Sequence, residues 1–145
     1  MLKTTLTESY KILGKDIKDM SSETPDIETF LFVRDYISKY QLNIDIVSKA
    51  IKNKLIEINT TLKFEDKDEN SKKSYFEIVF ATIIRVGDEI KEKKDLEKII
   101  LCDVQKEIYP NLEKSFLNLL HNSGYHGVKF EKKIDFEKLY NQKFN

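Results

Sequence analysis

Two stretches of alternating hydrophobicity constrain this chain more than any other feature of its sequence. Residues 55–64, LIEINTTLKF, and residues 75–86, YFEIVFATIIRV, place apolar or β-branched side chains at every second position. Because side chains in a β-strand point to opposite faces in turn, both stretches predict strands with one buried face. The residues between them, EDKDENSKKS, are polar and typical of the exposed connection of a β-hairpin.

Two shorter alternating stretches come before this hairpin. Residues 42–46, LNIDI, predict a strand, and residues 10–17 predict a weaker first strand that Gly14 interrupts with a bulge. With short links after the second and third strands, the four strands are expected to form an antiparallel sheet. One face of this sheet is expected to meet water, because it carries polar side chains: Glu57, Asn59, Thr61 and Glu77.

After the fourth strand the apolar residues recur at every third or fourth position, which is typical of a helix packed on a core. Residues 96–108 carry the first part of this pattern, and residues 112–120 resume it after Pro110. Because proline lacks a backbone N–H, we expect a kink or break there. Asp95 is expected to cap this helix and Asp135 to cap a last short helix. The fold class is therefore predicted as α+β: a four-stranded antiparallel sheet, a long kinked helix and a short C-terminal helix.

The length and composition limit the domains and partners of the chain. A single domain is expected over residues 1–145, with a crossover loop at 21–40 and a helical layer at 93–145. Lysine plus arginine and aspartate plus glutamate number 25 each, so no net charge favours nucleic acid or an acidic membrane. One cysteine favours a reducing compartment. With no apolar run typical of a signal peptide or membrane span, a cytoplasmic protein is expected.

Residues 118–130, NLLHNSGYHGVKF, hold both histidines and look like an active-site loop. However, His121 and His126 do not share a helix face, and no HExxH pattern or second cysteine supplies further zinc ligands. Cys102 flanks the helix stripe and is predicted to be a small buried residue. Gly124 follows the last periodic leucines, where a left-handed residue commonly ends a helix. We therefore predict no catalytic residue, no metal and no cofactor, and the chain is not predicted to be an enzyme.

The crossover, SSETPDIETFLFVRDYISKY, is rich in large apolar side chains. A connection of this length is uncommon without a function, and it has room for a helical turn or two. Two interpretations of its aromatic residues stay open from the residues alone. They cover one face of the sheet, or they line a groove for apolar segments of other proteins.

Three segments resemble SecB, the export chaperone, and the wider set of SecB-like chaperones. Residues 107–140 are similar to the SecB pattern of an aromatic-Pro step in the main helix, a glycine that ends it, and an Asn/Asp-Phe-Asp/Glu-x-Leu-aromatic helix. The matching residues are Tyr109, Pro110, Gly124, Asp135, Phe136, Glu137, Leu139 and Tyr140. Residues 15–25, KDIKDMSSETP, and 42–46, LNIDI, resemble the end of the first SecB strand and the start of the second.

The resemblance implies a homotetramer built as a dimer of dimers, with the long helix between the dimers. It also implies an ATP-independent chaperone, or holdase, that binds non-native polypeptide in exposed hydrophobic grooves. In the family these grooves lie between the crossover loop, the strand edges and the last helix. By position, seven residues are expected to form the client-binding groove: Phe30, Phe32, Tyr36, Tyr40, Phe136, Leu139 and Tyr140.

Two departures from the SecB pattern bear on the partner. The chain ends with NQKFN rather than an acidic tail, and its outer sheet face mixes Glu57 and Glu77 with Lys63 and Arg85. Engagement of SecA is therefore doubtful, and the sequence favours a SecB-like chaperone that holds the antitoxin of a toxin–antitoxin system. An export chaperone of the SecB/SecA pathway is the alternative. From another class, a small immunity or inhibitor protein docking one folded toxin also fits.

Overall fold

The computed structural model describes residues 9–69 and 72–144 of the chain. In chain order these residues form β1 (Tyr10–Glu23), α1 (Ile27–Tyr36), a 3-10 turn (Ile37–Lys39), β2 (Gln41–Ala50), β3 (Leu55–Glu65), β4 (Tyr75–Val86), α2 (Lys93–Lys98), a π-helical turn (Ile99–Asp103), α3 (Val104–Asn122) and α4 (Phe136–Phe144). Within these ranges no helix has both the length and the hydropathy needed to cross a bilayer.

The described strands form one antiparallel sheet in the order β1-β4-β3-β2. Two hairpins join β2 to β3 and β3 to β4, while α1 carries the chain from β1 across to the far edge. Both β1 and β2 are therefore edge strands, with one row of backbone groups unpaired among the described residues. The predicted α+β fold, with its four antiparallel strands, long helix and short last helix, is confirmed.

Strand β1 departs from a regular ladder twice. Its register against β4 shifts between Ile12 and Gly14 and again between Ile17 and Asp19. The predicted irregularity next to Gly14 is therefore present, and a second one follows it. Each bulge bends and twists an edge strand, which hinders uncontrolled pairing of its open side with other chains.

The core lies between one face of the sheet and the helix layer. The alternating positions of β3 and β4 are buried, as their sequence pattern predicts: Ile56, Ile58, Thr60, Leu62, Phe64, Phe76, Ile78, Phe80, Thr82, Ile84 and Val86. From the helix layer, α3 buries the stripe Ile108, Leu112, Phe116 and Leu120 against them. On the outer face, the side chains predicted to be wet are partly buried.

A buried polar side chain fixes the helix layer to the sheet. Gln105 is fully buried, and its Nε2 donates to the carbonyl oxygen of Ile100 at 3.2 Å. Its Oε1 accepts from the Thr60 hydroxyl of β3 at 3.1 Å. Because a π-helical turn disturbs the usual helical hydrogen bonds, Gln105 satisfies a carbonyl inside that turn and links it to the sheet.

Several boundaries differ from the sequence predictions. Strand β1 continues to Glu23, so the crossover starts later than position 21. The crossover contains a ten-residue helix rather than a turn or two, and Asp26 caps it by accepting from the Thr29 amide at 2.7 Å. Pro110 lies inside α3 without breaking it.

Only one of the two expected helix caps on the C-terminal side is present. The prediction that Asp95 caps the long helix is wrong, because α2 begins at Lys93 and Asp95 lies in its first turn. Asp135 does act as expected, since its Oδ1 accepts from the Lys138 amide at 3.1 Å. The first helix of this layer starts three residues before the periodic apolar pattern, so the pattern alone misplaced its cap.

Both the backbone conformation and the surroundings of Gly124 disfavour a side chain at this position. Its φ is +105°, and a Cβ there would lie 2.6 Å from Cε1 of Phe30. We predict that Gly124→Ala lowers the free energy of unfolding by about 1–3 kcal/mol, from backbone strain and the clash. Urea denaturation followed by circular dichroism measures this.

Gly127 provides the matched control for Gly124, because a Cβ there would meet nothing within 4 Å. Gly127→Ala should stay within about 0.5 kcal/mol of the parent. Equal stability of the two variants would contradict the assigned role of Gly124.

Candidate functional site

A groove of about 940 Å³ opens beside the edge strand β2. It lies between the 3-10 turn, the start of β2, segment 127–135 and α4. Its apolar lining comprises Ile37, Tyr40, Leu42, Ile44, Phe64, Val128, Phe130, Ile134 and Leu139. Lysines, acidic residues and amides form the remainder of its wall, so an apolar floor is bordered by polar side chains. We refer to this feature as the β2 groove.

Phe130 fixes the segment that forms one wall of the β2 groove. Its ring stacks on Phe116 of α3, with centroids 6.0 Å apart, and meets Phe64 of β3 edge-on at 5.4 Å. The Nε2–H of His121 donates to the Val128 carbonyl oxygen at 3.0 Å. Segment 127–135 has no regular structure, so these contacts are what hold it over the sheet.

The wall at the start of β2 depends on Tyr40. This ring is 6% exposed and packs against Phe64, with centroids 5.4 Å apart. Its hydroxyl oxygen accepts from the Ser74 amide at 3.0 Å, and Ser74 Oγ lies 3.1 Å from the Tyr125 hydroxyl. Burial raises the pKa of Tyr40, so the side chain stays neutral at physiological pH.

Helix α4 forms the opposite wall and is docked by its buried face. Phe136 and Tyr140 pack with Cys102 in a small second core, and Phe136 meets Tyr109 edge-on at 5.4 Å. The Tyr140 hydroxyl donates to the Lys94 carbonyl oxygen at 3.1 Å. With these rings turned inward, Leu139 lines the groove and is 36% exposed.

The structure divides the seven predicted groove residues among three places. Tyr40 and Leu139 line the β2 groove. Phe136 and Tyr140 lie beneath α4, at 5% and 7% exposure. The remaining three belong to helix α1: Phe30, Phe32 and Tyr36. The ring of Phe30 packs on that of Tyr125, with centroids 5.3 Å apart, and the ring centroids of Phe32 and Tyr36 lie 4.6 Å apart. The part that each of the seven plays in client binding stays a prediction.

Sequence reasoning missed most of the groove lining. Phe130 and Ile134 are separated by charged residues in KFEKKI, so no helical or strand period marks them as buried. The available signal was two large apolar side chains inside an otherwise charged connection. Leu42 and Ile44 were assigned to a strand, but the sequence does not say that this strand lies at a sheet edge.

Neither Cys102 nor Tyr109 lines the β2 groove. Cys102 is fully buried, and burial raises the pKa of its thiol, which disfavours the nucleophilic thiolate. Burial likewise raises the pKa of Tyr109. Within ranges 9–69 and 72–144, no cluster of three or more His, Cys, Asp or Glu side chains is arranged to hold a metal ion.

Comparison with known proteins places the chain in a family. The family model for SecB, described as preprotein translocase subunit SecB, matches residues 4–145. A candidate protein-export protein SecB from Pelagibacter ubique (strain HTCC1062) is 61% identical over 140 residues, covering 97% of this chain and 100% of that protein.

The fold also matches a solved structure. This is the Mycobacterium tuberculosis Rv1957 SecB-like chaperone in complex with a ChAD peptide from the Rv1956 HigA1 antitoxin. It matches with a TM-score of 0.62 at 9% identity, covering 89% of this chain and 94% of that one. Since the family model spans almost the whole sequence and the curated relative is similar from end to end, this chain belongs to the SecB family.

Proposed function

We propose that this chain is an ATP-independent holdase of protein export, which binds non-native polypeptide in the β2 groove and acts in the cytoplasm. The observation that carries the proposal is an open apolar groove beside an edge strand, in a chain of the SecB family. Soluble proteins rarely expose a large contiguous apolar surface, and where they do it commonly marks a binding site.

Binding in this groove needs no external energy. An extended client segment adds to the open side of β2 through main-chain hydrogen bonds, and alternate side chains enter the groove. Each apolar side chain removed from water contributes roughly 25 cal/mol per Å² before the cost of ordering the client. Because desolvation is non-directional, many different apolar sequences fit the same floor.

Export is favoured over the toxin–antitoxin role that the sequence analysis preferred. That preference depended on the NQKFN segment and on the mixed charges of the outer sheet face, whereas the relative at 61% identity is named for protein export. The Rv1957 structure holds an antitoxin peptide, but at 9% identity its likeness concerns the fold alone. Membership of the SecB family also gives no support to the rival immunity-protein interpretation.

An acidic end of the outer sheet face supports a contact with SecA. The register of β1 on β4 puts Glu23 opposite Tyr75, Ser21 opposite Glu77 and Asp19 opposite Val79, all on the face away from the helices. Tyr75 is 58% exposed among these carboxylates. On the neighbouring strand β3, Lys63 lies opposite Glu77, and further along the same face Lys18 pairs with Glu57 at 2.8 Å.

Exposed apolar side chains on β1 support assembly into a homotetramer. Ile17 and Met20 lie opposite Phe80 and Ile78, so they are on the helix-facing side of the sheet. They are nevertheless 41% and 47% exposed, and the nearby Leu13 is 45% exposed. We propose that a second copy of the chain covers these side chains, and that two such dimers form the dimer of dimers.

The proposed function is tested by two assays on the purified chain. It should suppress the aggregation of an unrelated unfolded protein without ATP, and it should bind SecA from the same genome in titration calorimetry. Glu23→Lys with Glu77→Lys should abolish SecA binding and leave aggregation suppression intact. Activity in neither assay would end the proposal, and suppression without SecA binding would end its export part.

Alanine substitutions at Leu139 and at Phe136 distinguish an effect on client binding from an effect on folding. We predict that Leu139→Ala costs less than about 1 kcal/mol of stability, because the side chain is partly exposed. It should weaken binding of a labelled unfolded peptide about three- to tenfold, through lost apolar contact. Phe136→Ala should cost about 3–5 kcal/mol of unfolding free energy, since its ring is buried. Normal stability with lost peptide binding in Phe136→Ala would place that ring in the groove after all.

Assembly is tested through the exposed side chains of β1. The parent chain should have the mass of a tetramer by light scattering, and Ile17→Asp with Met20→Asp should reduce it, since two carboxylates would be buried at the interface. Ile51→Asp, at a residue 45% exposed in the turn after β2, is the matched control and should keep the tetramer. A monomeric parent chain would contradict the proposal, as would a tetramer of the double variant.

A further inference from the structure

Ser74, the residue immediately before β4, lies at the centre of a hydrogen-bond network and is 1% exposed. Its Oγ lies 2.7 Å from the Thr24 hydroxyl oxygen and 3.1 Å from the Tyr125 hydroxyl oxygen. Its backbone amide donates to the Tyr40 hydroxyl oxygen at 3.0 Å. One small side chain and its amide therefore contact three other segments of the chain through polar groups.

Two of these partners mark the ends of the crossover. Thr24 follows β1 and Tyr40 precedes β2, so residues 24–40 are hydrogen-bonded to the start of β4 at both ends. Between these ends α1 buries only Thr29 and Val33, and the 3-10 turn buries no side chain. The position of the crossover over the sheet therefore depends on its end contacts as well as on this small buried face.

The third partner connects the network to the helix layer. Tyr125 follows the end of α3, and its ring packs on Phe30 of α1 and edge-on against Phe76 of β4, in each case with centroids 5.3 Å apart. Its side chain is 3% exposed, so its hydroxyl depends on a protein partner, which Ser74 supplies. Without the Ser74 hydroxyl, this group and the Thr24 hydroxyl would both lose that hydrogen bond.

We propose that Ser74 is a positioning residue of the β2 groove. This role rests on the proposed function, because the crossover ends in Ile37 and Tyr40, which line that groove. Ser74 holds the crossover against β4, and this contact keeps the groove wall in the arrangement that receives a client. Where the wall also samples other arrangements, the apparent dissociation constant rises as the competent fraction of molecules falls.

Ser74→Ala tests this role, because it removes the contacts to Thr24 and Tyr125 and leaves the backbone contact to Tyr40. Binding of a labelled unfolded peptide, measured by fluorescence anisotropy below the unfolding transition, should weaken about fivefold, which corresponds to a competent fraction of about one fifth. Hydrogen–deuterium exchange of the unliganded variant should be faster in residues 24–39. Tyr125→Phe removes one hydroxyl only, should weaken binding likewise, and serves if Ser74→Ala fails to fold.

Thr60→Val is the matched control. It removes a hydrogen bond to Gln105 that is buried and 3.1 Å long, and neither residue belongs to the crossover or lines the β2 groove. The variant should lower the urea midpoint about as much as Ser74→Ala does, because both leave a buried polar group without its partner. It should leave the peptide dissociation constant and the exchange of residues 24–39 unchanged.

The outcomes distinguish this role from the function on which it rests. Parent-like peptide binding by folded Ser74→Ala would overturn it, and so would an equal loss of binding in Ser74→Ala and Thr60→Val, which would reflect lost stability alone. If the parent chain binds no peptide, the proposed holdase function fails. In that case faster exchange of the crossover in Ser74→Ala alone would still support its positioning by Ser74, and unchanged exchange would contradict it.

Discussion

The helix layer of this chain is narrower than the sheet it covers, and the open surfaces of the molecule follow from that mismatch. Over the central strands the cover is complete, since Ile58 of β3 and Ile78 of β4 are fully buried beneath α3. Towards β1 the same sheet face is left open at Ile17 and Met20. Towards β2 the cover is the irregular segment 127–135 and α4, which leaves a groove instead of a sealed core. Each uncovered side has an apolar surface next to an edge strand, and these are the two surfaces that we propose for assembly and for client binding.

The β2 groove combines an adaptable surface with rigid support. Its floor consists of rings and aliphatic side chains that bury apolar area without directional requirements. Two buried polar contacts support the core: the Ser74 amide donates to the Tyr40 hydroxyl of the groove lining, and the Thr60 hydroxyl donates to Gln105 between the sheet and the helix layer. The hydrogen-bonding capacity of these buried groups is therefore met by the protein itself.

The sequence was sufficient for the parts of the fold that have a clear period. Strict alternation located β3 and β4, and the stripe at three and four residues located α3. The sequence did not distinguish two environments that share one pattern. Phe136 and Tyr140 recur at helical spacing, and that spacing fits an exposed groove as well as the buried cluster with Cys102. Helix α1 was underestimated because its sequence has no strong apolar stripe, and only Thr29 and Val33 are buried in it. The groove lining at Phe130 had no period at all, since its position is fixed by ring contacts with distant residues.

Hydrogen–deuterium exchange with and without a bound unfolded polypeptide tests the central claim most directly. If a client adds to the open side of β2 and fills the groove, backbone amides in residues 41–46 and 128–135 should become protected on binding. The central amides of β3 and β4 are already buried and paired on both sides, so their exchange should change little. Binding of a client with no added protection in either segment would contradict the account.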